Sequence, residues 1–197
     1  MFSITYISAV IFFAISTSFT PGPNNFLLLA SGIKFGVKKT LGHILGIAVG
    51  FPLMLMVVGV FFNKVFSINP VFFNILSAVG MVYLLYLGYQ IIFSDLIYEE
   101  KEISKPITFT QAVLFQWVNP KAWIMALSIA TTYLTSANFY LELEFVALVF
   151  FAIGFISSVT WTLFGKTIKN IINIKLANII LGIMLIVSIL QIIPEKF

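Results

Sequence analysis

The residues with chemical potential sit in two clusters. Thr20-Pro21-Gly22-Pro23-Asn24-Asn25 sets two prolines around a glycine and follows them with two amides. Gln116-Trp117-Val118-Asn119-Pro120-Lys121 combines two amides, a proline and a lysine. Each proline lacks a backbone donor and pushes the residue before it away from helical angles, so no regular helix runs through either cluster. Pro23 and Pro120 suit the first position of a new helix, and Asn119 suits the cap before it. A helix start presents unpaired N–H groups and about half a positive charge. Two such starts facing one cavity, with Lys121 beside one, form a site for an anionic group such as a carboxylate. The side-chain amides add acceptors, which an ammonium needs, so a zwitterion is accommodated. The candidate substrate-binding residues are Pro21, Gly22, Pro23, Asn24, Asn25, Gln116, Asn119, Pro120 and Lys121.

The elements that carry these clusters belong in a membrane. Of 197 residues, 60% are hydrophobic and 9% are charged. A soluble domain is roughly half apolar and about a quarter charged. The mean hydropathy is +1.09. A water-soluble domain is excluded, because 11 lysines and 7 acids cannot supply its polar surface. The net charge of +4 is small and the lysines are scattered, which argues against a nucleic-acid partner. There are no cysteines, so disulfides, thiolate metal sites and cysteine nucleophiles are excluded. All cationic residues are lysine, which removes bidentate guanidinium recognition.

A bilayer core about 30 Å thick needs roughly 20 apolar residues per helix. Six stretches qualify: 2–33, 41–62, 71–93, 109–134, 145–164 and 176–193. The first is read as an uncleaved span, since no lysine precedes it and its break runs into more apolar sequence. The predicted fold is an all-α membrane protein with six transmembrane helices. It forms a single domain over 1–197, built as two inverted three-helix repeats at about 1–100 and 105–197. Lys34, Lys38, Lys39, Lys101, Lys105, Lys166, Lys169 and Lys175 fall on one side, against Lys64 and Lys196 on the other. The lysine-rich side faces the cytoplasm, which puts both termini outside. From Pro23 to Ile33 is about 16 Å of helix, and from Phe109 to Val118 about 15 Å. Both breaks thus fall near mid-membrane, in helices 1 and 4, with the two new helix starts pointing toward each other. Interrupted helices at matching places in two halves mark a transporter binding site.

Other residues are read against plainer roles. Gly42, Gly46 and Gly50 share one helical face and serve close helix packing. His43 is the only histidine. It is a candidate for proton coupling, as is Lys121, set against an interfacial histidine with a satisfied hydrogen bond. No acid falls inside a span: Glu142 and Glu144 precede the fifth. Ser157, Ser158, Thr160, Trp161 and Thr162 form a polar run expected to face the interior, with Asn74 and Ser77 doing the same in the third span. Trp117 and Trp161 are candidates to wall a pocket, set against packing or interfacial anchoring. No hydrolase, zinc-protease or phosphate-loop signature is present, so no enzyme, metal or cofactor is expected.

The first cluster, Gly36, Gly42-x-x-x-Gly46-x-x-x-Gly50, Ala78-x-Gly80-x-x-Tyr83-Leu84-x-Tyr86-Leu87-Gly88 and Phe115-Gln116-Trp117-Val118-Asn119-Pro120-Lys121 together resemble the lysine exporter / homoserine–threonine exporter (LysE/RhtB) family. Pro-Gly-Pro-Asn-Asn with Phe-Gln-x-Val-Asn is most similar to its cysteine/O-acetylserine exporter branch. The resemblance implies proton-driven efflux of an amino acid or small derivative across the bacterial inner membrane. Many members carry an aspartate after the second-span glycines; this chain has Phe51-Pro52, which weakens the case for a cationic substrate. The expected activity is export of a neutral amino acid by alternating access, with spans 2 and 5 moving against the rest. A channel or metal-ion exporter of similar architecture is the alternative, disfavoured by spans without carboxylates or thiolates. The expected partners are the small-molecule substrate, membrane lipid and, for a unit of 22.0 kDa, a second copy in a homodimer.

Overall fold

The computed structural model describes residues 2–65, 82, 85, 89, 105–134, 138–168, 179, 180 and 183. Regular structure among them is helical: α1 (Ile4–Phe19), α2 (Pro23–Val65), α3 (Phe109–Val118), α4 (Pro120–Thr132) and α5 (Phe139–Ile168). The described residues within 71–93 and 176–193 are helical too. The rest of the third and sixth spans, with Asn74, Ser77 and most of the 78–88 motif, lies outside the described residues.

Local sequence sets the helix ends. Ser3 caps α1 by accepting from the Tyr6 N–H at 3.1 Å. Thr20-Pro21-Gly22 ends it, and Pro23 opens α2. α2 is two helices in one. Gly36 sits at φ 72° and ψ 176°, a conformation that is essentially glycine-only, and the chain doubles back there. The Ser31 and Thr40 hydroxyls meet at 2.8 Å, and Leu28 packs with Ile44 and Ile47. A straight helix would hold residues 28 and 47 almost 30 Å apart. The predicted lysine-bearing link between spans 1 and 2 is therefore this tight reversal, with Lys38 and Lys39 exposed on it. Thr108 caps α3 with a capping box to Gln111. Asn119 ends α3 and caps α4.

Polarity runs opposite to that of a soluble protein. Phe12, Leu114, Leu148 and Ile156 are exposed, whereas Asn25, Gln116, Asn119, Ser157 and Thr162 are buried. α5 alone is about 45 Å long, enough to cross a bilayer core. Because its helix begins at Phe139, it takes in both glutamates expected to precede the fifth span; Glu142 is buried and Glu144 exposed.

Lipid offers no hydrophobic drive for one apolar helix to leave it for another, so close backbone contact carries the association. Gly32 lies against the Thr162 carbonyl and Gly165 against the Leu29 carbonyl, a reciprocal crossing of the first part of α2 with α5. A methyl added at either glycine would meet that oxygen at 2.2 Å. The Gly42, Gly46 and Gly50 stripe faces α3: a methyl at Gly46 would lie 2.5 Å from Ala112 Cβ and 2.6 Å from the Phe109 carbonyl. Away from these crossings, Met54, Leu55, Ala126, Ile129, Val146 and Phe150 form the centre of the largest apolar cluster. At the far end of α1, the Tyr6 hydroxyl donates to the Tyr133 carbonyl at 2.9 Å.

Gly165→Ala should destabilise the fold by about 1–3 kcal/mol, because overpacking against a backbone carbonyl cannot relax by a rotamer change. Gly154→Ala, where an added methyl meets nothing within 4 Å among the described residues, should be near neutral. Thermal unfolding in detergent checks the pair; equal midpoints for the two variants would contradict the glycine crossing.

Candidate functional site

The break between α1 and α2 leaves carbonyls that an unbroken helix would have satisfied. Pro21 and Pro23 bring no N–H to the carbonyls four residues earlier. The Thr20 hydroxyl replaces one of these donors, reaching the Thr17 carbonyl at 2.9 Å. The Asn25 amide donates at 2.8 Å to both the Ser18 and the Thr20 carbonyls. Ser157, on α5, donates to the Ser18 carbonyl at 2.8 Å. Lys121, at the start of α4, reaches across: its Nζ lies 2.8 Å from the Thr20 carbonyl, 2.9 Å from the Thr20 hydroxyl and 3.4 Å from the Pro21 carbonyl.

The α3–α4 break closes by similar means. Pro120 brings no donor to the Gln116 carbonyl, which takes the Asn119 N–H at 3.3 Å instead. Asn119 Oδ1 accepts from the Lys121 N–H at 3.1 Å. The Trp123 indole donates to the Trp117 carbonyl at 2.8 Å. The two breaks are joined by paired amides. Asn24 Nδ2 donates to Gln116 Oε1 at 2.9 Å, and Gln116 Nε2 faces Asn24 Oδ1 at 3.4 Å while donating to the Ala112 carbonyl at 2.9 Å.

Between the breaks lies a cavity of about 60 Å³. At roughly 10–15 Å³ per molecule it has space for about four to six waters. Gly22, Asn24, Asn25, Gln116, Asn119 and Lys121 line it, with Ser157 and Ser158 of α5. Pro21, Pro23 and Pro120 set the backbone and do not line it. The opposite wall is apolar: Ile47, Phe51, Met125 and Phe150, with the two phenyl rings 5.1 Å apart. Trp117 and Trp161 are not in the lining. Trp117 stacks edge-on with Trp123, and Trp161 packs against Phe26. From the polar run of α5, Ser157, Ser158 and Thr162 are buried, whereas Thr160 is exposed.

His43 also lies off the cavity. It is 1% exposed, and its Nδ1 has no hydrogen-bond partner among the described residues. The surroundings of the cavity carry both signs. Every helix start at a break comes with a helix end, and α1 brings its carbonyls to the cavity along with the N–H groups of α2. Ser18, Gly154, Met125 and Phe150 are lining residues that spacing alone did not mark. Ser18 contributes through its backbone, which leaves no trace in residue type.

The chain matches the family described as LysE type translocator over residues 15–192. It is similar to the cysteine/O-acetylserine efflux protein of Salmonella paratyphi A, 29% identical over 184 residues covering 91% of this chain and 93% of that protein. The protein of the same description from Escherichia coli strain K12 is 28% identical over 186 residues, covering 92% and 94%. That from Klebsiella pneumoniae is 27% identical over 168 residues, covering 85% of each. No solved structure matches the chain. The glycine-faced helices, the paired breaks and this match over nearly the whole length agree: the chain is a membrane protein of the LysE type translocator family, a transporter and not an enzyme.

Proposed function

We propose that this protein exports a neutral amino acid or close derivative across the bacterial inner membrane, by alternating access around the cavity between the two breaks. One observation carries the reading: donors and acceptors of both signs converge on a small cavity with one apolar wall. A zwitterion needs both signs at once. The partial positive charge at the starts of α2 and α4 suits a carboxylate, and the carbonyls ending α1 suit an ammonium. The apolar wall of Phe51, Met125 and Phe150 suits a short uncharged side chain. The activity for which the relatives are named makes cysteine and O-acetylserine the first substrates to test.

The surrounding architecture in this proposal is six spans in two inverted halves, with the breaks at mid-membrane and both termini outside. His43 is the candidate for proton coupling, since it is buried and has an unused ring nitrogen.

Three measurements test the proposal. Asn24→Ala, Asn119→Ala and Lys121→Ala should each slow efflux from loaded vesicles by about 10- to 100-fold at equal expression, the equivalent of losing a hydrogen bond to a charged group. Normal efflux in all three would remove the cavity as the substrate site. Gly154→Leu should fill the cavity and abolish transport of the larger O-acetylserine before that of cysteine. Equal sensitivity of the two substrates would count against a size limit at this wall. Because the chain has no cysteine of its own, single-cysteine variants report sidedness. In intact cells Asn138→Cys should react with an impermeant maleimide and Lys39→Cys should not; the reverse pattern inverts the topology.

A further inference from the structure

The Lys121 ammonium is held as a bound ligand would be. An ammonium has three N–H donors. Around Nζ stand three acceptors, the Thr20 carbonyl at 2.8 Å, the Thr20 hydroxyl at 2.9 Å and the Pro21 carbonyl at 3.4 Å. The side chain lies across Gly22, where a methyl would come within 2.8 Å of its Cδ and 3.1 Å of Nζ. Glycine at that position is what lets the lysine lie over the break. The cradle is made by the backbone and one hydroxyl of the exposed Thr20 and Pro21, and it adjoins the cavity that Gly22 and Lys121 line. A primary ammonium from any other source would find the same acceptors.

We infer that Lys121 is a tethered stand-in for the substrate's ammonium, and that an α-amino acid binds by exchange. The substrate's ammonium takes the acceptors of Thr20 and Pro21, and the displaced Lys121 ammonium pairs with the substrate's carboxylate. This rests on the cavity being the substrate site, and it adds a rule for what that site accepts. A simple amine would expel Lys121 and leave its ammonium without these acceptors and with no anion in exchange, which is costly. A simple acid would draw Lys121 away, taking its donor from the Pro21 carbonyl and leaving the Thr20 carbonyl with Asn25 alone. Only a molecule carrying both groups satisfies every partner at the end of the exchange. Lys121 thereby selects for zwitterions, and it fills the cradle between cycles.

The test uses the purified full chain in detergent and three probes: L-cysteine, its decarboxylated amine cysteamine, and its deaminated acid 3-mercaptopropionate. In the unmodified protein, cysteine should bind. Each fragment alone should bind at least tenfold more weakly, and saturating acid should raise the affinity for the amine at least tenfold. Fragments that bind independently of one another would overturn the exchange, and this arm needs no variant to fold. In Lys121→Met the cradle is vacant, so cysteamine should gain at least tenfold in affinity and cysteine should lose at least tenfold. A folded Lys121→Met that gains no amine binding overturns the proposal. Asn24→Ala separates the two levels. If it binds cysteine as the unmodified protein does, the cavity is not the site and the exchange falls with it. If it loses cysteine while the fragments bind independently, the exchange alone falls.

Discussion

Every backbone group that loses its helical partner needs another, from a side chain, the backbone or water. That requirement accounts for the side chains around the two breaks. The break strips donors from the end of α1, and the deficit is met by the Thr20 hydroxyl, the Asn25 amide, Ser157 from α5 and Lys121 from α4. The donors arrive from three separate parts of the chain. The break is thus also a tie: α1, α4 and α5 are fastened to one another by the carbonyls that it sets free. The cavity follows from the same geometry, since helices that stop and restart beside one another cannot fill the space between their ends.

The packing around the breaks obeys a second rule of the lipid environment. Where apolar side chains gain little by leaving lipid for protein, helices approach until backbones touch. Gly32 against Thr162 and Gly165 against Leu29 are contacts of this kind, and their reciprocity lets both carbonyls lie on an opposing Cα. Such Cα–H contacts are worth perhaps 0.5–1 kcal/mol each. The more important effect is geometric. A backbone-to-backbone crossing has almost no side-chain slack, so it fixes the position of Ser157, two turns along α5 from Gly165, relative to the first break.

Much of this was legible in the residues, and the parts that were not share a cause. The two proline clusters announce where helices stop, and Gly42, Gly46 and Gly50 announce a packing face. Side-chain type carries that information directly. Residue type does not show what a carbonyl does. The acceptors at Ser18, Thr20 and Pro21 belong to the backbone, so no residue type marks which carbonyls they are. Three-dimensional placement identifies them. Gly165 was missed for another reason. It stands apart from any glycine stripe in α5, and its partner, Gly32, is more than a hundred residues away. The helix that carries the fifth span begins at Phe139, before the apolar stretch, because a helix can extend past the apolar run that reveals it.

The reversal at Gly36 also constrains how the protein is made. The segment 23–35 is about 20 Å of helix, too short to cross a hydrocarbon core of about 30 Å by itself. It ends among carbonyls whose donors, Lys121 and Ser157, are synthesised much later. The first half of the chain therefore leaves the ribosome with a break that still lacks two of its donors. The break is completed when the second half arrives to supply them. Biogenesis should run as a late, joint docking of both halves and not as the stepwise insertion of finished spans.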